Sequence, residues 1–321
     1  MSGLSELSIL PQVLIDGLTL GFIYAVVAVG YTMVYGILKL VNFAHGEIFM
    51  IGAFAGTEVL LALQRFGIVD GVNPYVSLLI AILIASLLSG FIGVGIEYAA
   101  YRPIRGVPTL ILFITAIGLS FILQDLVRMV VGLAKGTYLV NGVELFSGSF
   151  AIGGSAVITE KAIVIIAATL IIMIGMELFV KKSKWGIAIR AVSQDPSTAS
   201  LMRININKVI ALTFFVGSAI GGATGVLYAQ YYSTITPYIG FLLGMKALTA
   251  AILGGIGNIR GAMLGGVLLG LLESLGTAYI GPLTGGAIGA EYKDVFAFSV
   301  LILVLLFKPA GLLGKAVKEK V

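Results

Sequence analysis

The sequence predicts an all-α polytopic integral membrane protein, a glycine-rich bundle of 8–10 transmembrane helices. Of its 321 residues, 59% are hydrophobic and only 11% are charged, against about 25% charged residues in soluble domains. Long apolar runs recur along the chain, and a helical span needs about 20 apolar residues. The runs are continuous and not alternating, which is typical of helices and not of barrel strands. No soluble module interrupts them, so residues 1–321 are predicted to form a single transmembrane domain.

The predicted spans follow one another with short connections. They cover residues 11–36, 46–63, 75–97, 109–131, 162–180, 209–231, 241–255, 261–278 and 295–307. If the C-terminus lies inside, nine crossings place the N-terminus outside, and a broken helix around residues 38–47 would change that count. The first run has no basic segment before it and contains Gln12 and Asp16. We therefore expect it to be retained as a span and not removed as a signal peptide.

The lysines and arginines predict which loops are cytoplasmic, because cytoplasmic loops carry an excess of both. The net charge of +5 is thus attributed to topology in the cell membrane and not to nucleic-acid binding. The cytoplasmic parts are predicted to be the basic loop (residues 181–208), the turn at residues 102–105 and the C-terminal tail. The tail carries Lys308, Lys315, Lys318 and Lys320. The chain has no cysteine, which excludes disulfides and thiolate metal sites.

The basic loop contains the signature of a short capped helix. Asp195 is its single acidic residue, and Asp195-Pro196 is typical of an N-cap followed by proline in the first turn. The helix is predicted to run from about Pro196 to Ile204, outside the membrane. A membrane protein keeps such a charged, ordered helix between two spans where a soluble partner binds it.

The loop at residues 132–160 has a balanced charge and is predicted to be external. Within it, Asn141-Gly142 separates two strand-like segments between residues 137 and 146, a strong signal for a hairpin. The hairpin either covers the loop or contacts a soluble partner that delivers substrate.

Polar residues also interrupt the apolar runs at residues 42–47. Irregular polar backbone inside a membrane is tolerated where it lines a cavity. The candidates for the translocation path are therefore Asn42, His45, Gly46 and Glu47, together with the approach at residues 236–246, which includes Pro237. His45 is the only histidine, so a multi-histidine metal site is excluded. With Glu47 it forms either a proton relay or hydrogen-bonding groups at a gate. Ionisable residues within spans are further candidates by default, and they include Asp16, Glu58, Glu97, Asp125, Arg128, Glu177 and Glu273.

Glycines predict close helix packing and one helix break. Pairs such as Gly17 and Gly21 lie on one helix face and let two backbones approach. The break is predicted in the segment LGGIGNIRG, at Gly254, Gly255, Gly257 and Gly261. The phosphate-binding pattern G-x-x-x-x-G-K-[ST] is absent from the chain, so we expect no bound ATP, no other cofactor and no enzymatic activity.

Three blocks resemble the permeases of branched-chain amino acid ABC importers. They are VNFAHGEIFMIGAF, RAVSQDPSTASLMRININKVIALTF and TPYIGFLLGMKALTAAILGGIGNIRGAMLGG. The resemblance implies a pore-forming subunit that pairs with a second, homologous permease, docks two cytoplasmic ATPases and receives substrate from an external binding protein. ATP and magnesium would be bound by the ATPases. It also implies that the helix in the basic loop is the coupling helix, with candidate residues Gln194, Asp195, Pro196, Ala199, Leu201 and Ile204.

The chain departs from the family at Met202-Arg203, where Leu-Gly is more usual, so the docking surface gains charge. Relatives in the same superfamily carry sugars, urea or short amides, so urea, short amides or other amino acids are alternative cargoes. A second class of interpretation is an ion-coupled secondary carrier, which also uses broken helices but needs no docking helix. A passive channel is a third. The capped basic helix favours the ATP-driven complex.

Overall fold

The computed structural model describes residues 8–152 and 156–314, and helices dominate both ranges. The longer helices in these ranges are α1 (Leu10–Leu38), α2 (Ala44–Arg65), α3 (Pro74–Ile96), α4 (Thr109–Lys135), α5 (Glu160–Lys182), α6 (Lys184–Gln194), α7 (Pro196–Leu201), α8 (Ile206–Tyr232), α9 (Ile239–Gly254), α10 (Ile259–Leu283) and α11 (Lys293–Phe307). Three shorter pieces accompany them: a helical turn at Ile68–Gly71, a π-helical turn at Glu97–Tyr101 that continues α3, and a 3-10 turn at Ala290–Tyr292.

Seven helices of the described ranges are long and apolar enough to cross a membrane: α1, α2, α3, α4, α5, α8 and α10. The two remaining predicted runs correspond to α9 and α11, which have 16 and 15 residues. The prediction of an all-α polytopic membrane protein is confirmed.

The helices α1, α2 and α8 form the centre of the bundle, and most of their apolar segments are buried inside the chain. At the periphery, α4 and α5 bury only a minor part of theirs. The outer face of α4 consists of exposed apolar side chains such as Ile114, Phe121 and Leu133. Such a face suits lipid or the apolar face of a neighbouring transmembrane chain, since neither requires polar side chains for contact.

Glycines allow α1 and α10 to pack backbone against backbone. A Cβ atom placed on Gly270 would overlap backbone atoms of Gly21 and lie 2.7 Å from the carbonyl oxygen of Gly17. No other residue type fits there without moving a helix, which is the arrangement that small residues permit between membrane helices.

The helical conformation is interrupted between α1 and α2. The α1 helix ends at Leu38, and Lys39 follows in a left-handed conformation, with its N–H donating to the carbonyl of Tyr35. The first turn of α2 then faces Ser89 of α3 and Ser120 of α4, residues near the middle of those spans. Thus α2 begins inside the bundle and not at its end.

Within the described ranges, four short strands form two antiparallel pairs: β1 (Val140–Asn141) with β4 (Thr234–Ile235), and β2 (Ser149–Ile152) with β3 (Ala156–Thr159). The predicted hairpin turn at Asn141-Gly142 is wrong. The strand before this turn, β1, pairs with β4 and not with the residues that follow Gly142. Val143 and Phe146 are buried instead, and the Val143 carbonyl accepts a hydrogen bond from Gln230. The hairpin of this loop is formed by β2 and β3, further along the chain.

Candidate functional site

The first turn of α2 takes part in a buried polar cluster, the central cluster: His45 and Glu47 lie in this turn, Tyr31 in α1 and Ser120 in α4. The Glu47 side chain is 0% exposed, and its Oε1 accepts a hydrogen bond of 3.0 Å from the Ser120 hydroxyl. Its other oxygen, Oε2, has no hydrogen-bond partner within the described residues. A helix N-terminus favours negative charge, so the start of α2 supports the carboxylate electrostatically.

His45 and Glu47 have separate partners in the central cluster. The imidazole of His45 packs edge-on against the ring of Tyr31, with 4.7 Å between the ring centroids. Because the regular helix begins at Ala44, the two side chains point to different neighbours, and no unwound segment joins them. The structure therefore gives no support to a direct proton relay between them.

Glycines bring the second predicted part of the path against the first. A Cβ atom on Gly46 would lie 2.9 Å from the Cα of Gly244 in α9 and would also meet the carbonyl of Gly240. Pro237 is buried just before α9 begins. Residues 42–47 and 236–246, far apart in the sequence, thus share one interface.

All five candidates for the path are buried inside this chain: Asn42, His45, Gly46, Glu47 and Pro237. Asn42 lies in the break before α2, where its Oδ1 accepts a hydrogen bond of 2.7 Å from the hydroxyl of Tyr101. A path through this region needs a movement of helices that exposes it.

A charge network centred on the buried pair of Lys246 and Glu273 lies beside the central helices, and among its charged members the sequence analysis singled out only Glu273. Lys246 of α9 contacts Glu273 of α10 at 2.8 Å and Asp294 of α11 at 2.7 Å. Lys293 lies 3.2 Å from the same Glu273 carboxylate, whose other oxygen accepts from the Tyr24 hydroxyl at 2.8 Å. The two positive charges of the lysines balance the two negative charges of the carboxylates. The pairing could not be predicted from the sequence, because the partners lie on four different helices.

In the basic loop, side chains cap both short helices. The Ser183 hydroxyl accepts the Gly186 N–H at the start of α6, and the Asp195 carboxylate accepts the N–H groups of Ser197 and Thr198 at the start of α7. The Ser197 and Thr198 side chains also donate to Asp195, and these hydrogen bonds lower the pKa of Asp195 to about 2. The cap carboxylate is consequently ionised at neutral pH and loses its contribution only when the pH falls towards that value.

The α7 helix ends at Leu201, three residues earlier than predicted, and Ile204 lies beyond it. Arg203 adopts a left-handed conformation with φ of 60°, and the Ile204 N–H donates to the Ala199 carbonyl at 3.2 Å. The left-handed conformation favours glycine over residues with a side chain. Arg203, at the position where Leu-Gly would place a glycine, therefore introduces backbone strain as well as charge.

The two sides of α7 differ. Leu201 and Met202 are 82% and 74% exposed at its tip, whereas Ala199 is buried against the chain and Ile204 is half-buried. Gln194, the last residue of α6, and Pro196, the first of α7, are exposed. The loop therefore offers an outward apolar tip on a base that the chain itself anchors.

The glycine-rich segment after α9 forms the turn into α10. Gly255 and Gly257 have φ values of 108° and 90°, while Gly254 packs directly on Gly261. The N–H groups of Leu312 and Leu313 donate to the carbonyls of Leu253 and Gly254, both at 2.9 Å. The chain after α11 is thus fastened to this turn. Lys315, Lys318 and Lys320 lie outside the described residues.

Comparison with known proteins gives a consistent result over nearly the whole chain. The family described as branched-chain amino acid transport system / permease component matches residues 13–305. The chain is 44% identical to the high-affinity branched-chain amino acid transport system permease protein LivH of Escherichia coli (strain K12), over 97% of each chain. It is 45% identical to LivH of Salmonella typhimurium and 43% identical to the corresponding permease protein BraD of Pseudomonas aeruginosa, again over 97% of each chain. No solved structure matches significantly. The chain belongs to the family of branched-chain amino acid transport permease components.

Proposed function

We propose that this chain is the transmembrane permease subunit of an ATP-driven importer of branched-chain amino acids. The observation that carries the proposal is the similarity to LivH and BraD, which extends over 97% of both chains. The name of each relative describes a high-affinity branched-chain amino acid transport system. In this chain the missing phosphate-binding pattern assigns ATP hydrolysis to partner subunits.

The proposed assembly contains a second, homologous permease, two cytoplasmic ATPases and an external substrate-binding protein around the chain in the bilayer. The basic loop and the C-terminus are cytoplasmic in this proposal, which follows the distribution of lysine and arginine. The outward tip at Leu201 and Met202 is the surface offered to an ATPase. Its apolar side chains lie beside the charge of Arg203, as expected of a contact that combines burial with charge pairing.

The proposed substrate path runs through the interface between residues 42–47 and 236–246. An apolar wall distinguishes one methylene by only about 1–3 kcal/mol, so fine selectivity is assigned to the external binding protein. Urea and short amides are the alternative cargoes, because the few polar side chains at this interface give little selectivity between one small polar solute and another. In an ion-coupled carrier a buried carboxylate would bind the driving ion. Lys246 and Lys293 already neutralise Glu273, so in such a carrier this role would fall to Glu47.

Thiol labelling of Ser120→Cys tests this function, because the chain has no cysteine of its own and the change preserves side-chain volume. In the assembled complex we expect a small membrane-impermeant reagent to label this cysteine in only one nucleotide state, and leucine to reduce the labelling. Ser89→Cys is the matched control, since Ser89 is also a buried serine that faces the start of α2, but its Oγ lies 3.5 Å from the Ile48 carbonyl and does not hydrogen-bond to Glu47. Ser120→Cys that stays unlabelled in every nucleotide state, or that reacts like Ser89→Cys, would place the path elsewhere.

A further inference from the structure

A line of side-chain hydrogen bonds, joined in its middle by the backbone of the π-helical turn, connects the basic loop to the start of α2. At its outer end, Asn207 in the first turn of α8 accepts a hydrogen bond of 2.6 Å from Nη1 of Arg105. The same guanidinium forms an ion pair with Glu97, the first residue of the π-helical turn after α3. Arg105 thus joins the segment that follows α7 to the end of α3.

The line continues through the π-helical turn. Glu97 and Tyr101 begin and end this turn, and both are buried. The hydroxyl of Tyr101 donates to Oδ1 of Asn42, which also accepts the N–H of Ala44, the first residue of α2. Asn42 therefore holds the first turn of α2, which carries His45 and Glu47.

The surroundings leave room for this line to shift. A cavity of about 220 Å³ is lined by Arg105 and Tyr101 together with Pro196, the first residue of α7. A π-helical turn inserts one residue into the helical ladder and is frequent at functional sites. The connection between the basic loop and α2 consequently consists of polar contacts at its two ends and of the backbone of the π-helical turn between them, beside a space into which it can move.

We propose that Arg105, Glu97, Tyr101 and Asn42 are positioning residues that transmit movement of the basic loop to the first turn of α2. The proposal rests on the proposed function, because it assumes that an ATPase moves the loop. When the loop shifts, Asn207 pulls the guanidinium of Arg105, and the π-helical turn moves Tyr101 and the Asn42 side chain with it. The region that carries Glu47 then follows the state of the ATPase.

The competing explanation is purely structural: Arg105 neutralises the buried Glu97, and Tyr101 fills space. Removing one partner of a buried ion pair is strongly destabilising whatever its role, so Arg105 and Glu97 themselves are poor test positions. Asn207→Ala and Tyr101→Phe cut the line at its two ends and leave that ion pair intact. Asn207 is exposed, and the phenylalanine keeps the ring that packs on Phe214.

The test measures the amount of leucine imported per ATP hydrolysed by the complete complex in proteoliposomes. Coupling between two sites is typically worth a factor of 5–150, so we expect each variant to lower this ratio by about fivefold or more. Substrate-independent ATP hydrolysis and the unfolding temperature should stay the same. Because the two positions act in series, the double variant should lose no more than the worse single variant. Lys208→Ala, next to Asn207 but outside the line, is the control and should keep the ratio.

Three outcomes separate the hypotheses. If the unaltered complex shows no ATP-dependent uptake, the proposed function fails. If it couples normally and both variants keep its ratio, only the connection through Arg105 is overturned. A lowered unfolding temperature with an unchanged ratio also overturns it, because that result identifies a structural role.

Discussion

Replacing Lys246 with methionine is expected to destabilise the protein by about 3–5 kcal/mol, the range for breaking a buried ion pair from one side. The change leaves Asp294 without the cation that lies 2.7 Å away, and it leaves Glu273 with Lys293 at 3.2 Å. Glu273 is 2% exposed, so solvent does not compensate for the loss. The effect is measured as the apparent unfolding temperature of the purified protein in detergent.

Lys181→Met is the matched control, because it removes the same charge from an ion pair in which the lysine is half exposed. Exposed pairs contribute about 0–1 kcal/mol, so this variant should unfold close to the unaltered protein. Adding Glu273→Gln to Lys246→Met should recover part of the loss, since the glutamine no longer needs a buried cation. Equal unfolding temperatures for the two lysine variants would show that the charge network does not stabilise the bundle.

Gly270→Val is expected to prevent the close packing of α1 and α10 and to destabilise the protein by about 3 kcal/mol or more, at the upper end of the range for overpacking. The new Cβ atom would meet backbone atoms of Gly21, and backbone cannot rotate away as a side chain can. The measurement is the yield of folded, monodisperse protein together with its unfolding temperature.

Gly118→Val introduces the same side chain on the exposed face of α4, where a Cβ atom has no neighbour within 4 Å. Valine has a higher helix propensity than glycine, so this control should be neutral or slightly stabilising. If both glycine variants fold equally well, the contact between α1 and α10 is more compliant than the backbone distances indicate.

Local sequence signals accounted for most of the fold. Apolar runs located the helices, Asp195-Pro196 located the start of α7, and the glycines after Leu253 located the turn into α10. Each of these features depends on neighbours along the chain. The same is true of the break before α2, where the polar residues around Asn42 interrupt an apolar run.

Signals that depend on distant residues could not be predicted in this way. The Asn141-Gly142 pattern indicated a local hairpin, but β1 pairs with β4, more than ninety residues later in the chain. Glu273 stood out as a charged residue in a span, whereas its partner Lys246 became visible only in the packed bundle. Ser120, which holds Glu47, carries no sequence signal at all, because a serine in an apolar helix is usually bonded to its own backbone.

The most direct test of the central claim is the energy source of transport. The complex, purified with its ATPases and reconstituted in proteoliposomes, should import leucine, isoleucine and valine only when ATP and the external binding protein are both supplied. A proton or sodium gradient without ATP should drive no uptake. Uptake driven by such a gradient alone, or import of urea in place of the three amino acids, would contradict the assignment of this chain as an ATP-driven branched-chain amino acid permease.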